Sequence, residues 1–180
     1  MAITGVKHIT ITVADVDTAL RQFQMLLGAG MGATVRQSGV THQRSTSFMV
    51  GSVQYQLVQG LDPEGRYAQH VAAYGESVNH ICYTVDNLPQ TLVQAVANGA
   101  KLRSQTCRFS DDPEEIARWK ATVGPDSVCA NCGIVGQYEH PEGWVAFLEE
   151  ADVPGPLVEL MQVYTPDEIP AQYRKGPLDL

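Results

Sequence analysis

No stretch of the 180-residue chain approaches the roughly 20 consecutive apolar residues that a membrane-spanning helix needs. The opening Met1-Ala2-Ile3-Thr4 also lacks the charged region and apolar core of a secretory signal. Basic residues are scarce, with 12 Lys and Arg against 20 Asp and Glu, a net charge of -8 and a pI near 5.0. Binding to a phosphate backbone depends on clustered cations that release counterions, so no nucleic-acid partner is expected. Cysteine is limited to positions 82, 107, 129 and 132, which a reducing cytosol keeps as thiols. Acidic residues are missing from one long segment, since no Asp or Glu lies between Asp17 and Asp62. What remains is 44% apolar and 18% charged residues with a mean hydropathy of -0.12, the composition of an ordinary globular domain large enough to bury a core without staples. The expectation is a soluble, cytoplasmic protein.

An internal repeat organises the chain. Val6-Lys7-His8-Ile9-Thr10-Ile11-Thr12-Val13 returns as Val78-Asn79-His80-Ile81-Cys82-Tyr83-Thr84-Val85, 72 residues later. The register continues with Asp15 over Asn87, Val16 over Leu88 and Leu20 over Leu92. Alternation at period two puts His8, Thr10 and Thr12 on one face of a strand and Ile9, Ile11 and Val13 on the other, and the second copy does the same with His80, Cys82 and Thr84. Each strand then has an apolar face for a helix and a small, polar face for something else.

A helix follows each strand. Asp15 or Asp17 can cap the first, Leu20, Phe23, Leu26 and Leu27 form its stripe, and Gly28 and Gly30 end it. In the second, Asn87 caps, Pro89 sits in the first turn, Leu88, Leu92, Val93 and Val96 form the stripe, and Gly99 supplies the final turn. Strands are expected at residues 34–37, 44–50 and 53–59, with Gly51-Ser52 a tight turn, and again at 144–148 and 157–163. The pattern reads as two βαβββ modules, at residues 1–62 and 78–165, with a linker at 63–77 and a tail at 166–180.

Aligning the last strand of each copy sets Gln56 against Glu159. A carboxylate inside Leu157-Val158-Glu159-Leu160-Met161 is costly to bury unless a cation or hydrogen bonds meet it. His8, Gln56, His80 and Glu159 together make a mixed nitrogen and oxygen set that suits one divalent metal with open positions for substrate. A lone strand histidine is more often a satisfied core residue; a repeat-related pair with two repeat-related partners favours a shared metal.

These residues resemble the vicinal oxygen chelate superfamily, whose members include methylmalonyl-CoA epimerase, glyoxalase I, extradiol dioxygenases and fosfomycin-resistance proteins. The epimerase group is the nearest in look, through His8-Ile9 with Ala14-Asp15 beyond, through Val78-Asn79-His80-Ile81, and through Val145-Ala146-Phe147-Leu148 followed by Glu159 in Leu157-Val158-Glu159-Leu160. The resemblance implies an α+β fold with an eight-stranded, cup-shaped mixed sheet, one divalent metal (Co, Mn, Ni, Zn or Fe) on His8, Gln56, His80 and Glu159, no organic cofactor, and a homodimer. It also implies Lewis-acid chemistry on a carbonyl oxygen while a side chain moves a proton.

The epimerase pattern expects a catalytic Glu near Thr41-His42-Gln43-Arg44, where this chain has none. His42 is a candidate replacement, with an exposed turn histidine as the alternative. Glu159, Glu139 and His140 are the other candidates for proton transfer, and Arg44, Tyr138 and Cys82 are candidates for substrate contact, Arg44 through its anion-binding fork. About 31 extra residues separate the first and last ligands of the second copy, in an insertion at about 103–140. Asp112-Pro113-Glu114-Glu115 there starts a helix that could cover the site. Cys129-Ala130-Asn131-Cys132 with Cys107 reads as reduced thiols, a structural metal knot or a redox pair.

The leading expectation is a metal-dependent isomerase or epimerase acting on a small acyl compound, with a CoA thioester as one candidate. The alternatives are an Fe(II) dioxygenase built on His8, His80 and Glu159, and a resistance-type protein that binds a small molecule.

Overall fold

The computed structural model describes residues 3–38, 42–101, 137–140, 143–148, 155–165 and 167. The helix expected from Asp112, the lid it would form, and Cys107, Cys129 and Cys132 fall outside the described residues. The chain has an α+β fold and divides into two compact units, one of residues 6–81, the other of residues 3–5 with those described from 82 onward.

The first unit holds β1 (Ile3–Thr12, from Val6), α1 (Val16–Leu27), β2 (Arg36–Ser38), β3 (Gln43–Val50), β4 (Val53–Gly60), α2 (Arg66–Tyr74) and the start of β5 (Ser77–Val85). Its strands run in the order β2-β3-β4-β1-β5. The second unit holds the rest of β5, α3 (Leu88–Ala97), β6 (Gln137–His140), β7 (Gly143–Phe147) and β8 (Leu157–Val163), in the order β5-β8-β7-β6. Two βαβββ modules are therefore present. The second strand of the second one, β6, carries no expectation from sequence, because it lies at the end of the insertion.

Register explains how each sheet takes its helix. In the first unit β1 runs parallel to β4, pairing His8 with Gln54, Thr10 with Gln56 and Thr12 with Val58. Strand β3 runs antiparallel to β4, with Thr46 opposite Leu57 and Phe48 opposite Tyr55. Directly paired residues share a face, so Ile11, Leu57, Tyr55 and Phe48 fall together. They pack with Val16, Ala19, Leu20 and Phe23 of α1. In the second unit Val85, Leu88, Leu92, Ala146, Leu148 and Leu160 make the equivalent core.

Helix ends follow their capping residues. Asp15 takes the cap of α1, its carboxylate accepting from Thr18 N at 2.7 Å, and Gly28 closes the helix at φ 64°, a conformation that favours glycine. Asn87 caps α3 by accepting from Gln90 N at 2.9 Å. The stripes are narrower than the sequence suggests. Leu26 and Leu27 on the last turn of α1 are exposed, as is Val93 of α3, and Ala95 takes the buried place one turn beyond Leu92.

The hydrogen bonds from Thr18 hold the Asp15 carboxyl below its ordinary 3.8. A lowered carboxylate pKa contributes stability above the unfolded value, lost as pH falls through the folded one. Asp15→Ala should thus lower the melting temperature by a few degrees at neutral pH, and the gap should narrow below about pH 4. Thermal melts of both proteins across pH check this.

The segment expected as a linker contains α2. It lies against β4 at Gly60, where a Cβ would come within 2.7 Å of the Ala68 backbone nitrogen. A side chain at position 60 would therefore push this helix off the sheet.

Candidate functional site

The face of β1 turned away from α1 is buried and polar. His8, Thr10 and Thr12 are 3%, 0% and 0% exposed. Gln54, Gln56 and Val58 of β4 share this face by pairing, and Ser45, Ser47 and Met49 of β3 follow through their own pairs with Val58, Gln56 and Gln54. The Gln56 amide oxygen accepts from Thr10 Oγ1 at 3.1 Å, which turns it toward β1 on that face and leaves a lone pair for another partner.

His80, on the part of β5 that belongs to this unit, meets His8 there. Their Nε2 atoms are 3.3 Å apart, with the rings edge to face at 72° and both side chains buried. A neutral hydrogen bond to nitrogen at this length is long. Two imidazole nitrogens each about 2.0–2.1 Å from one ion, subtending roughly 90–110°, would stand about 2.8–3.4 Å apart. The observed 3.3 Å falls within that range, so the pair fits a divalent metal.

In the second unit Glu159 lies on β8 opposite Phe147, with only 3% exposed, and Cys82 is fully buried. A Glu159 carboxylate oxygen and Cys82 Sγ are within 4.8 Å. Val145 and Met161 pack with Cys82. Cys82, read from sequence as a substrate contact, is thus a soft donor near the carboxylate.

Other candidates fall elsewhere. Arg44 pairs with Gln59 on β4, so its side chain is on the helix face, opposite to Gln56. There its guanidinium binds the Asp17 carboxylate at 2.7 Å. The expected substrate contact through Arg44 is corrected: strand parity turns it away from His8 and Gln56. His42 is exposed, with φ 48°, and its carbonyl accepts from Leu61 N at 2.8 Å. It has the position of a turn residue. The backbone register of β6 sets Tyr138 opposite Val145, Glu139 opposite Trp144 and His140 opposite Gly143.

Sequence reasoning missed Asn79 and His70. His80 Nδ1 and Asn79 Oδ1 are 2.8 Å apart, and Asn79 Nδ2 lies 3.1 Å from His70 Nδ1 on α2. The signal was Asn79 itself, a side-chain amide adjoining a candidate ligand where the first copy has Lys7.

Residues 7–115, more than half the chain, match the family model of the Glyoxalase/Bleomycin resistance protein/Dioxygenase superfamily. No relative among curated proteins matches. Among solved structures, a methylmalonyl-CoA epimerase from Mycobacterium tuberculosis superposes with a TM-score of 0.62 at 19% identity, covering 91% of this chain and 90% of that one. A hypothetical protein from Bacillus halodurans C-125 gives a TM-score of 0.60 at 17% identity, covering 89% of this chain and 94% of that one. A Streptomyces coelicolor methylmalonyl-CoA epimerase variant in complex with 2-nitronate-propionyl-CoA gives 0.61 at 15% identity, covering 90% and 96%. At these identities the likenesses establish the fold.

Proposed function

Because the chain belongs to the Glyoxalase/Bleomycin resistance protein/Dioxygenase superfamily, we propose that it is a divalent-metal-dependent isomerase or epimerase that moves a proton next to the carbonyl of a small acyl compound. The observation that carries this reading is the 3.3 Å approach of the buried His8 and His80 Nε2 atoms. Gln56 and Glu159 would complete the ligand set, with Cys82 beside Glu159. When bound, the metal supplies a Lewis acid that polarises a carbonyl oxygen, an effect commonly worth several kcal/mol in the transition state. A CoA thioester is the favoured substrate class, since several structural neighbours are methylmalonyl-CoA epimerases and one is in complex with methylmalonyl-CoA.

The residues of the first module orient more than they react. Thr10 directs the Gln56 oxygen, and Ser45 and Ser47 add hydroxyls to the same face, yet this face holds no carboxylate because none occurs between Asp17 and Asp62. The proton-transfer groups would come from the second module, where Glu159, Glu139 and His140 are the candidates and Tyr138 a substrate contact. His42 stays secondary, since its exposure leaves it without the water-excluded setting that helps such transfers.

Incubation with acyl-CoA thioesters in deuterium oxide tests the reading. Metal-dependent exchange of the proton next to the thioester carbonyl is the expected result. Oxygen consumption with bound iron would replace it by the dioxygenase reading. Tight ligand binding without turnover would leave a small-molecule binding protein.

A further inference from the structure

The two histidines are not equivalent in how they are held. His80 begins a chain of hydrogen bonds that runs out of the buried face to α2 and returns to the strand. Its Nδ1 contacts Asn79 Oδ1 at 2.8 Å, Asn79 Nδ2 contacts His70 Nδ1 at 3.1 Å, and His70 Nε2 contacts Ser77 Oγ at 3.0 Å. Ser77 Oγ in turn donates to the Gly75 carbonyl at 3.2 Å.

The direction of every bond follows from the far end. A backbone carbonyl only accepts, so Ser77 spends its one hydroxyl proton on Gly75 and must accept from His70 Nε2–H. Neutral His70 then has a bare Nδ1, which accepts from the Asn79 amide NH₂. That fixes Asn79 Oδ1 as the acceptor toward His80, and Nδ1 of His80 must carry the proton. Its Nε2 is left with a lone pair, 3.3 Å from His8 Nε2.

The repeat shows that this device belongs to one copy. The positions equivalent to Ser77 and Asn79 are Gly5 and Lys7, which offer neither a hydroxyl nor an amide. His70 comes from α2, between the modules. Close packing of α2 on Gly60 keeps His70 in place.

We infer that Asn79 and His70 are positioning residues that lock His80 in the Nδ1–H tautomer, presenting Nε2 as a preformed metal ligand. The inference rests on the metal reading above for its purpose, and on the hydrogen-bond chain alone for the tautomer. A hydrogen-bonded outer partner of a ligating imidazole typically changes metal affinity by about 10–100-fold, by fixing the ring and raising its basicity.

The test uses the full-length, metal-free protein with ¹⁵N-labelled histidine, at a pH of about 8, above the ordinary imidazole pKa of about 6.5. Nitrogen shifts and couplings should report His80 as Nδ1–H in the wild type and a shift toward Nε2–H in Asn79→Leu. Titration with Co(II) should show affinity roughly 10–100-fold weaker for Asn79→Leu and weaker also for His70→Ala. Asn79→Asp retains the acceptor for Nδ1–H, so it should keep both the tautomer and the affinity, a rescue that a merely structural role for the amide would not give. A wild-type His80 found as Nε2–H overturns the lock. So does Asn79→Leu with unchanged tautomer and Co(II) affinity. A wild-type protein that keeps the Nδ1–H form but takes up no Co(II) overturns the metal reading while upholding the tautomer lock, so the two failures are distinguishable.

Discussion

His80→Ala is expected to abolish the response of the protein to divalent metal. For the wild type, metal at 100 times its dissociation constant adds about 2.7 kcal/mol to stability, which for a chain of this size raises the melting temperature by roughly 5–10 °C. Removing His80 takes away one of two nitrogens that stand 3.3 Å apart, and His8 alone cannot hold the ion in that geometry. Affinity should fall by more than the ~100-fold ceiling for loss of an outer partner, and the thermal shift should vanish. His8→Ala should behave alike. Arg44→Ala is the control: its ion pair with Asp17 lies on the opposite face and is partly exposed, so it should cost no more than about 1 kcal/mol and leave the metal shift intact. Elemental analysis and melts with and without Co(II) make the measurement. Equal metal content in wild type and His80→Ala would end the assignment.

The residues most legible in the sequence were those fixed by strand periodicity. A period of two assigns His8, Thr10 and Thr12 to one face of β1, and register with β4 adds Gln56 to that face. The same rule, carried across β3, would have excluded Arg44 as a substrate contact, but it needs the β3–β4 pairing, which sequence alone leaves open to a slip of one residue. The helix stripes were read too wide because Leu26 and Leu27 fit the pattern by chemistry, while the last turn of α1 has nothing in the described structure to cover it. Strand β6 was hidden by the insertion before it. The His70–Asn79–His80 chain was least legible of all. It joins a helix to a strand across side chains whose spacing obeys no period, and its meaning appears only once the direction of each proton is traced from Gly75.

Glu159→Gln should remove most of the response to divalent metal. The carboxylate is 3% exposed on β8, and glutamine keeps its shape and one acceptor oxygen but removes the charge. Melts with and without Co(II) should show wild type gaining the binding free energy, while the variant, without its anionic ligand, gains little. A carboxylate serving only as a structural hydrogen-bond acceptor would instead leave the metal response unchanged. Proton exchange next to a thioester carbonyl should fall along with metal occupancy. If occupancy is restored at high Co(II) and exchange stays absent, Glu159 also takes part in moving the proton. If exchange returns, its contribution is confined to holding the ion.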